Sequence, residues 1–328
     1  MAVENCKLRE VRELLKIEKS PQRGLFAAEW VVMGYMVLTL LMMAVMWGRL
    51  LNPEAMLWGR LRYVLVTLVV WAAYRLKPCR LMLLVRIVAQ MSFLGWWYPD
   101  TYELNRALPN LDHVFAQCEQ TLFGCQPSLL FSQVVPYGWF SELMCLGYVS
   151  YFPLITLTAL YYFFCRHQEF LKASFIILAS FFVYYVVFIV LPVTGPQFYY
   201  LAVGTEKIAA GIFPNLGDWF LTHSERMAAP GWSDGFFYYL LDLTHDAGER
   251  PTAAFPSSHV GVTTVLMLLA LRTHCRWLVF TMLPFYVLMC LSTVYIYAHY
   301  AIDAIAGLVT AVGIYYALRY IYTKLQLT

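Results

Sequence analysis

The segment ASFIILASFFVYYVVFIVL, residues 173–191, contains nineteen consecutive residues without a charge. A helix needs about 20 mainly apolar residues to cross the hydrocarbon core of a bilayer. The segment therefore predicts a transmembrane helix. The whole chain has the same character, because 61% of its 328 residues are hydrophobic and only 13% are charged. This composition is far more apolar than that of an ordinary globular domain.

Further apolar runs lie on both sides of this segment. They span residues 30–50, 61–76, 81–98, 142–165, 259–271, 277–298 and 300–322. The second, third and fifth of these are short or interrupted, so each is either a span or a half-buried segment. Arg86 lies inside one of them and is expected to snorkel to the interface or to pair within the bundle. The sequence thus predicts an all-α, polytopic transmembrane helix bundle with six to eight spans.

Basic residues are distributed unevenly between the segments that connect these runs. With a cytoplasmic amino terminus and eight crossings, fifteen Lys and Arg residues fall on the cytoplasmic side and seven on the other. This bias follows the positive-inside rule. Both termini are therefore expected in the cytoplasm, with the long loops 99–141 and 192–258 on the periplasmic or lumenal face. The short soluble tails favour a bacterial inner membrane over a Golgi-type membrane.

The segments outside the apolar core have distinct characters. Residues 1–29 form a charged, amphipathic cytoplasmic leader, residues 30–98 the amino-terminal helices, and residues 323–328 a cytoplasmic tail. Loop 99–141 contains an interfacial helix in the stretch LDHVFAQCEQTLFG. The net charge of +3 is too small and dispersed to suggest nucleic-acid binding.

The eight cysteines include no C-x-x-C pair, so a zinc or redox motif is not expected. Cys118 and Cys125 fall on the predicted outer side, where they either form a disulfide or remain two unpaired small core residues.

The first polar motif is FPSSHVG, residues 255–261. Pro256 ends the preceding segment, and either Ser257 or Ser258 is placed to cap a helix with His259 in its first turn. Free backbone N–H groups and the positive end of the helix dipole make such a helix start an anion site. Phosphate is its natural ligand.

The second motif is STVYIYAHYAID, residues 292–303. His299 and Asp303 are four residues apart, so a helix that includes both would place them on one face. The carboxylate could then hydrogen-bond one imidazole nitrogen and leave the other as a nucleophile. Asp303 near the start of an apolar helix costs about 2.5 to 3.5 kcal/mol, which favours a specific partner over a chance placement.

These two motifs resemble the last two signatures of the type 2 phosphatidic acid phosphatase superfamily, P-S-G-H and S-R-x5-H-x3-D. The resemblance covers roughly residues 122–322 and implies a catalytic transmembrane core at residues 142–322. It also implies that His299 attacks phosphorus to form a phosphohistidine, that Asp303 orients it, and that His259 protonates the leaving alcohol. Ser257 and backbone N–H groups near Ser258 would hold the phosphoryl oxygens, with no metal or other cofactor.

The departures from the family pattern concern cationic positions. The arginine of the last signature is Thr293 here, the glycine of P-S-G-H is Ser258, and LPVTGPQFYY (residues 191–200) stands where K-x6-R-P is expected. Fewer cations favour a phosphodiester, which carries one charge, over a phosphomonoester with nearly two. AFPSSHVG, STVYIYAHYAID and GPQFYY are similar to inositol phosphorylceramide synthases. That branch implies transfer of phosphoinositol from a phosphatidylinositol-like donor to a ceramide-like acceptor.

Further contacts to the lipid substrates are expected from the second long loop. Arg250 is the first candidate for a phosphate contact, and Lys207, Gln197 and Tyr199 are possible headgroup contacts. Two alternatives stay open. One is a lipid phosphatase that uses water on phosphatidate or a prenyl diphosphate, and the other is a non-catalytic lipid-binding or transport protein on the same fold.

Overall fold

The computed structural model describes residues 13–325; the first twelve residues of the predicted leader and the last three of the predicted tail lie outside this range. The described part is built from α-helices and contains no β-strand, apart from an isolated bridge between Ile17 and Cys79. The predicted all-α polytopic bundle is thereby confirmed.

Most helices of the first half coincide with apolar runs of the sequence. They are α1 (Ala27–Met46), α2 (Pro53–Leu76), α3 (Arg80–Ser92), α4 (Leu94–Asn105), α5 (Asp112–Phe123), α6 (Pro127–Val134), α7 (Gly138–Val149), α8 (Tyr151–Cys165) and α9 (Phe170–Val190). The second half adds α10 (Pro196–Val203), α11 (Thr205–Ala209), α12 (Phe236–Gly248), α13 (Ser258–Arg272), α14 (Arg276–Tyr295) and α15 (Ala301–Lys324).

Six helical segments of the described residues are long and apolar enough to cross a membrane. They are Ala27–Arg49, Pro53–Leu76, Arg80–Asn105, His167–Val190, Arg276–Tyr295 and Ala301–Lys324. Helices α7 and α8 meet at 43° around Ser150 and together make a possible seventh span. The run at 61–76 is therefore part of a full-length helix, while the run at 142–165 is bent at a point that its composition did not predict.

Helix α9 lies at the centre of the bundle, with 78% of its most apolar window buried. It packs against α1, α4, α8, α13 and α15. A helix that is apolar on every side has no polar face to turn toward water, so it is stable when it is buried among other helices. Helix α13 is buried in the same way between α8, α9, α14 and α15, so the motif at its amino end lies inside the bundle.

Buried ion pairs join the amino-terminal helices. Arg86 is fully buried, pairs with Glu29, and lies with its guanidinium carbon 3.8 Å from the ring centre of Phe26. The expectation that Arg86 snorkels is therefore wrong, and its alternative, pairing within the bundle, is what the structure contains. Arg60 makes a second buried pair with Asp100, with two nitrogen–oxygen distances of 2.8 Å.

Candidate active site

The amino end of α13 is fixed by its cap and by α15. Of the two serines, Ser257 is the N-cap, and its Oγ accepts a hydrogen bond from the Val260 backbone N–H at 3.3 Å. The Ser257 N–H donates to the backbone carbonyl of Asp303 at 3.0 Å. Its own carbonyl faces Gly307, where any Cβ would collide with it. The starts of α13 and α15 are thus locked together by backbone contacts.

His259 lies in the first turn of α13, enclosed by aromatic rings. Its ring stacks on Tyr148 at 4.6 Å between centroids and lies 4.5 Å from the ring of Tyr151. The ring of His299 stands edge to face at 5.8 Å. The structure therefore brings together two histidines that are forty residues apart in the sequence. The Nδ1 atom of His259 is buried and has no hydrogen-bond partner among residues 13–325, which leaves it available to a ligand.

His299 precedes α15 and is not part of it. The helix begins at Ala301, so the expectation that one helical turn carries both His299 and Asp303 is wrong. Instead the His299 backbone N–H donates to the carbonyl of Thr293 at 2.9 Å, and its Nδ1 lies 2.7 Å from the carbonyl oxygen of Ala254. The nearest carboxylate oxygen of Asp303 is 3.7 Å from Nδ1.

Asp303 therefore does not make the predicted hydrogen bond to the imidazole. Its Oδ2 accepts a hydrogen bond from the Tyr300 backbone N–H at 2.8 Å, as a capping residue at the start of α15 does. An ionised carboxylate at 3.7 Å would stabilise a positive charge on the His299 ring when one develops. Its other oxygen is buried and has no partner among the described residues.

Burial determines the charge state of His299. It lowers the pKa of this ring to about 4, partly opposed by the Ala254 carbonyl and the charge of Glu249. The ring is therefore neutral at pH 7. Because a carbonyl only accepts hydrogen bonds, Nδ1 holds the proton and Nε2 has a free lone pair. This is the protonation state that a nucleophilic histidine requires.

Unusual backbone conformations flank both histidines. Ala253 has φ 68° and Tyr297 has φ 67°, in the left-handed region that non-glycine residues seldom occupy. Gly195 has φ 95°, and a Cβ there would lie 2.8 Å from the Ala298 carbonyl oxygen. Strained residues of this kind cost roughly 1–3 kcal/mol each and cluster at functional sites. Here they shape the two segments that present the rings.

A buried carboxylate that the sequence did not single out organises these segments. Asp112, at the start of α5, accepts hydrogen bonds from the backbone N–H groups of Thr194 and Gly195, at 2.7 and 2.9 Å. It also accepts from the hydroxyl of Tyr300 at 3.0 Å and from Asn110 at 2.7 Å. The turn in LPVTGPQFYY is thus held by an acid, at the place where the family pattern has cations.

A second unpredicted acid supports α15. Glu119 is fully buried, and its Oε2 accepts a hydrogen bond from the Ile302 backbone N–H at 3.2 Å. Burial, together with the nearby charge of Asp303, raises the pKa of Glu119 to about 8. Its carboxyl is therefore mostly protonated at pH 7. Its only sequence signal was its place in the interfacial-helix pattern, which does not distinguish it from a surface residue.

Two further titratable groups lie beside the histidine pair. His245, in α12, packs edge to face on Tyr148 at 5.7 Å, on a ring that His259 also contacts, and burial lowers its pKa to about 4. Burial raises the pKa of Glu249, while the neighbouring His299 opposes this rise. Neither His245 nor Glu249 stands in a recognisable spacing in the sequence.

The two serines predicted to bind phosphate lie at the amino end of α13. Ser257 is buried as the cap, and Ser258 is half-buried at the first position of α13. The backbone N–H groups of Ser258 and His259 donate to no other residue that the structure describes, so both are free to donate to a ligand.

The predicted headgroup contacts have other partners. Gln197 is buried, and its Nε2 donates to Glu249 at 2.9 Å. Tyr199 is buried, and its hydroxyl donates to the Pro214 carbonyl at 2.8 Å. Arg250 is exposed and its guanidinium donates to the Glu249 carbonyl, while Lys207 is exposed on α11.

In the described part of the chain, the two histidines and Asp303 have no direct cationic partner. Within residues 13–325, no Lys or Arg makes a hydrogen bond or ion pair with His259, His299 or Asp303. Thr293 is fully buried, and its hydroxyl donates to the Cys290 carbonyl of its own helix at 3.2 Å. The same range contains no group of three or more His, Cys, Asp or Glu residues that could hold a metal ion. Cys118 and Cys125 are both free, and Cys118 is exposed rather than part of the core.

An apolar groove with a volume of about 510 Å³ lies at the bend between α7 and α8. Its lining includes Val149 and Ser150, which are adjacent in the chain to Tyr148 and Tyr151, the residues whose rings contact His259. Its walls come from α7, α8, α12 and α14, and include Leu146, Leu154, Phe237, Leu240 and Phe285.

The fold and the site together define an integral membrane protein with a buried His/His/Asp cluster in its helical core. Residues 113–317 match the family model of the PAP2 superfamily, which confirms the predicted resemblance to the superfamily. The match covers more than half of the chain, and the chain belongs to this superfamily. Its members are generally phosphatases or phosphotransferases, so an activity of the lipid phosphatase or phosphotransferase type is expected. No curated protein and no solved structure matches the chain.

Proposed function

We propose that the protein is a lipid phosphotransferase that moves a phosphoinositol-type headgroup from a glycerophospholipid to a ceramide-like acceptor. The observation that carries the proposal is the placement of His299. Its Nδ1 is held by the Ala254 carbonyl at 2.7 Å, its Nε2 is free, and the ring of His259 stands 5.8 Å away. Displacement at phosphorus requires a nucleophile on one side of the phosphorus atom and a proton donor on the other. Two neighbouring histidines can supply both groups.

In the first step Nε2 of His299 attacks phosphorus, and the bond from phosphorus to the glycerol oxygen breaks. The leaving oxygen takes a proton from the imidazolium form of His259 and departs as diacylglycerol. His299 then carries the phosphoinositol group through a phosphorus–nitrogen bond, and the positive charge on its ring is stabilised by Asp303 at 3.7 Å. The N–H groups of Ser258 and His259 stabilise the phosphoryl oxygens at the start of α13.

In the second step His259 removes the proton of the acceptor hydroxyl. The resulting oxygen attacks phosphorus, the phosphorus–nitrogen bond breaks, and His299 returns to its neutral form. Both histidines are therefore restored after one turnover. Chemistry of this kind needs no metal ion or other cofactor.

The preference for a phosphodiester is supported by the missing cations. A monoester brings nearly two negative charges, and burying it beside His299 without an arginine would leave one of them uncompensated. A diester brings one charge, which the helix dipole and backbone N–H groups can balance. Thr293 in place of the family's arginine agrees with this substrate.

The apolar groove between α7, α8, α12 and α14 supports a lipid acceptor or donor. Its lining is almost entirely aliphatic and aromatic, so it fits an alkyl chain whose headgroup lies at the histidines. An alkyl chain in this position would also exclude water and favour transfer over hydrolysis.

The test is an assay of the purified full chain with headgroup-labelled phosphatidylinositol, with and without ceramide, and with products separated by chromatography. The control variants are His299→Ala and His223→Ala, a histidine that stacks on Trp219 away from the pair. Label in a ceramide-linked product that needs His299 but not His223 is expected. Label released only to water would favour a phosphatase, and a His299→Ala protein that keeps its function in cells would favour a non-catalytic lipid-binding role.

A further inference from the structure

A second cavity lies at the other end of the bundle, with a volume of about 560 Å³. We call it the basic pocket. Its apolar lining residues are Leu268 and Leu271. The polar ones are three arginines, a histidine and two tyrosines: Arg166, Arg272, Arg319, His274, Tyr315 and Tyr316. It belongs to the carboxyl ends of α8, α13 and α15, whereas the catalytic residues stand at the start of α13 and α15. At 1.5 Å per residue, His259 and Arg272 are separated by about 20 Å along α13.

The charges around the basic pocket do not balance. Glu169 is the acid that its arginines contact, with oxygen–nitrogen distances of 2.6 Å to Arg166 and 3.3 Å to Arg272. Arg319 is exposed and makes no ion pair or side-chain hydrogen bond with any residue that the structure describes. The neighbouring Lys172 donates to Thr323 at 2.7 Å and adds a further positive charge. Four cations and one carboxylate thus lie in and around the basic pocket.

We propose that the basic pocket binds a phosphate-bearing anion, and that in the membrane this anion is the headgroup of an anionic phospholipid. Arginine forks match phosphate oxygens with paired hydrogen bonds, and tyrosine hydroxyls add donors. Basic pockets between the ends of transmembrane helices recognise charged headgroups in this way. Leu268 and Leu271 give the same cavity an apolar wall against which the glycerol and the upper part of a chain can pack.

The site is separate from the proposed catalytic chemistry. Its residues do not contact the histidine pair, and its ligand is held without being converted. Occupation would stabilise the ends of α8, α13 and α15 against one another, because one anion joins cations from all three helices. Binding should therefore raise the thermal stability of the protein by mass action.

The test measures thermal unfolding of the full chain in neutral detergent, titrated separately with short-chain phosphatidylglycerol, short-chain phosphatidylcholine and inorganic phosphate. Arg319→Ala is the main variant, because it removes a cation that has no partner in the described structure. Arg276→Ala is the matched control, an exposed arginine at the start of α14 that does not line the pocket. Melting without ligand shows whether each variant is folded.

Phosphatidylglycerol is expected to stabilise the wild type and Arg276→Ala, with an apparent affinity about tenfold weaker for Arg319→Ala. Phosphatidylcholine should have little effect. An Arg319-dependent shift with inorganic phosphate alone would support the anion site and identify its source as free phosphate. Equal shifts for Arg319→Ala and the wild type, or equal shifts with the two lipids, would overturn the proposal.

Discussion

The Nδ1 atom of His299 is hydrogen-bonded to the backbone carbonyl of Ala254 at 2.7 Å. Ala254 is itself held in place, because its N–H donates to the Val193 carbonyl at 3.0 Å. A carbonyl fixes the ring tautomer just as a carboxylate would, but no substitution of a side chain removes it. The carboxylate of Asp303 is therefore left with the capping of α15 and with the charge that develops on the ring.

This division of roles predicts a modest effect of Asp303→Asn. Asparagine keeps an acceptor for the Tyr300 N–H and leaves the Ala254 hydrogen bond intact, so the tautomer of His299 is preserved. We expect turnover to fall about 10²-fold, against the roughly 10⁴-fold loss that a wrong tautomer costs a catalytic triad. The measurement is turnover of labelled phosphatidylinositol by Asp303→Asn beside His299→Ala. A loss by Asp303→Asn as complete as that of His299→Ala would contradict this account.

The buried His245 predicts a loss of stability in mild acid. Its pKa of about 4 in the folded protein lies below the usual 6.5, so between these values the unfolded chain binds the proton first. Stability therefore falls as the pH drops from 6.5 toward 4. His245→Phe keeps the packing on Tyr148 and removes the titration, so it should recover about 2 kcal/mol at pH 5 relative to pH 7.5. Chemical unfolding at the two pH values checks this, and an unchanged pH dependence would refute it.

Glu119 predicts the opposite dependence of stability on pH. Its folded pKa of about 8 lies above the usual 4.5, so the folded protein binds the proton more tightly and loses stability as the pH rises between these values. The loss attributable to this group is at most about 1.4 kcal/mol per pH unit. Glu119→Gln is a neutral isostere and should flatten the slope from pH 5 to 8. The measurement is the melting temperature of Glu119→Gln and of the wild type at four pH values. The same pH dependence in both proteins would contradict the prediction.

Asp112 predicts a structural loss with a catalytic consequence. Asparagine at this position directs an amide group toward N–H and hydroxyl donors that now meet a carboxylate, so Asp112→Asn should destabilise the protein by about 3 kcal/mol. The turn at Thr194 and Gly195 then loosens, and turnover should fall with stability. Asp218→Asn, at an exposed carboxylate, serves as the matched control. Equal stability of the two variants would show that Asp112 does not hold the turn.

Much of the fold follows from local features of the sequence. The apolar runs place the helices because length and hydrophobicity are read along the chain. A cap at Ser257 or Ser258 follows from the local order of proline, serine and an apolar run, and the structure shows that Ser257 is the cap. The break at Ser150 was not predicted, because the residues on both sides of it are equally apolar. The position of His299 outside α15 was missed for a similar reason, since the periodicity continues smoothly through Tyr300 and does not register the left-handed turn at Tyr297.

The sequence by itself determined an apolar helix bundle, the superfamily motifs, and the identity of the three residues that define the candidate site. Those properties depend on residue type and on spacing within one segment. Only the tertiary structure decided that His259 and His299 meet, that the Ala254 carbonyl rather than Asp303 holds the imidazole, and that Asp112 supports the turn beside them. These contacts join distant segments, and several use backbone atoms that every residue possesses, so no side-chain pattern in the sequence marks them.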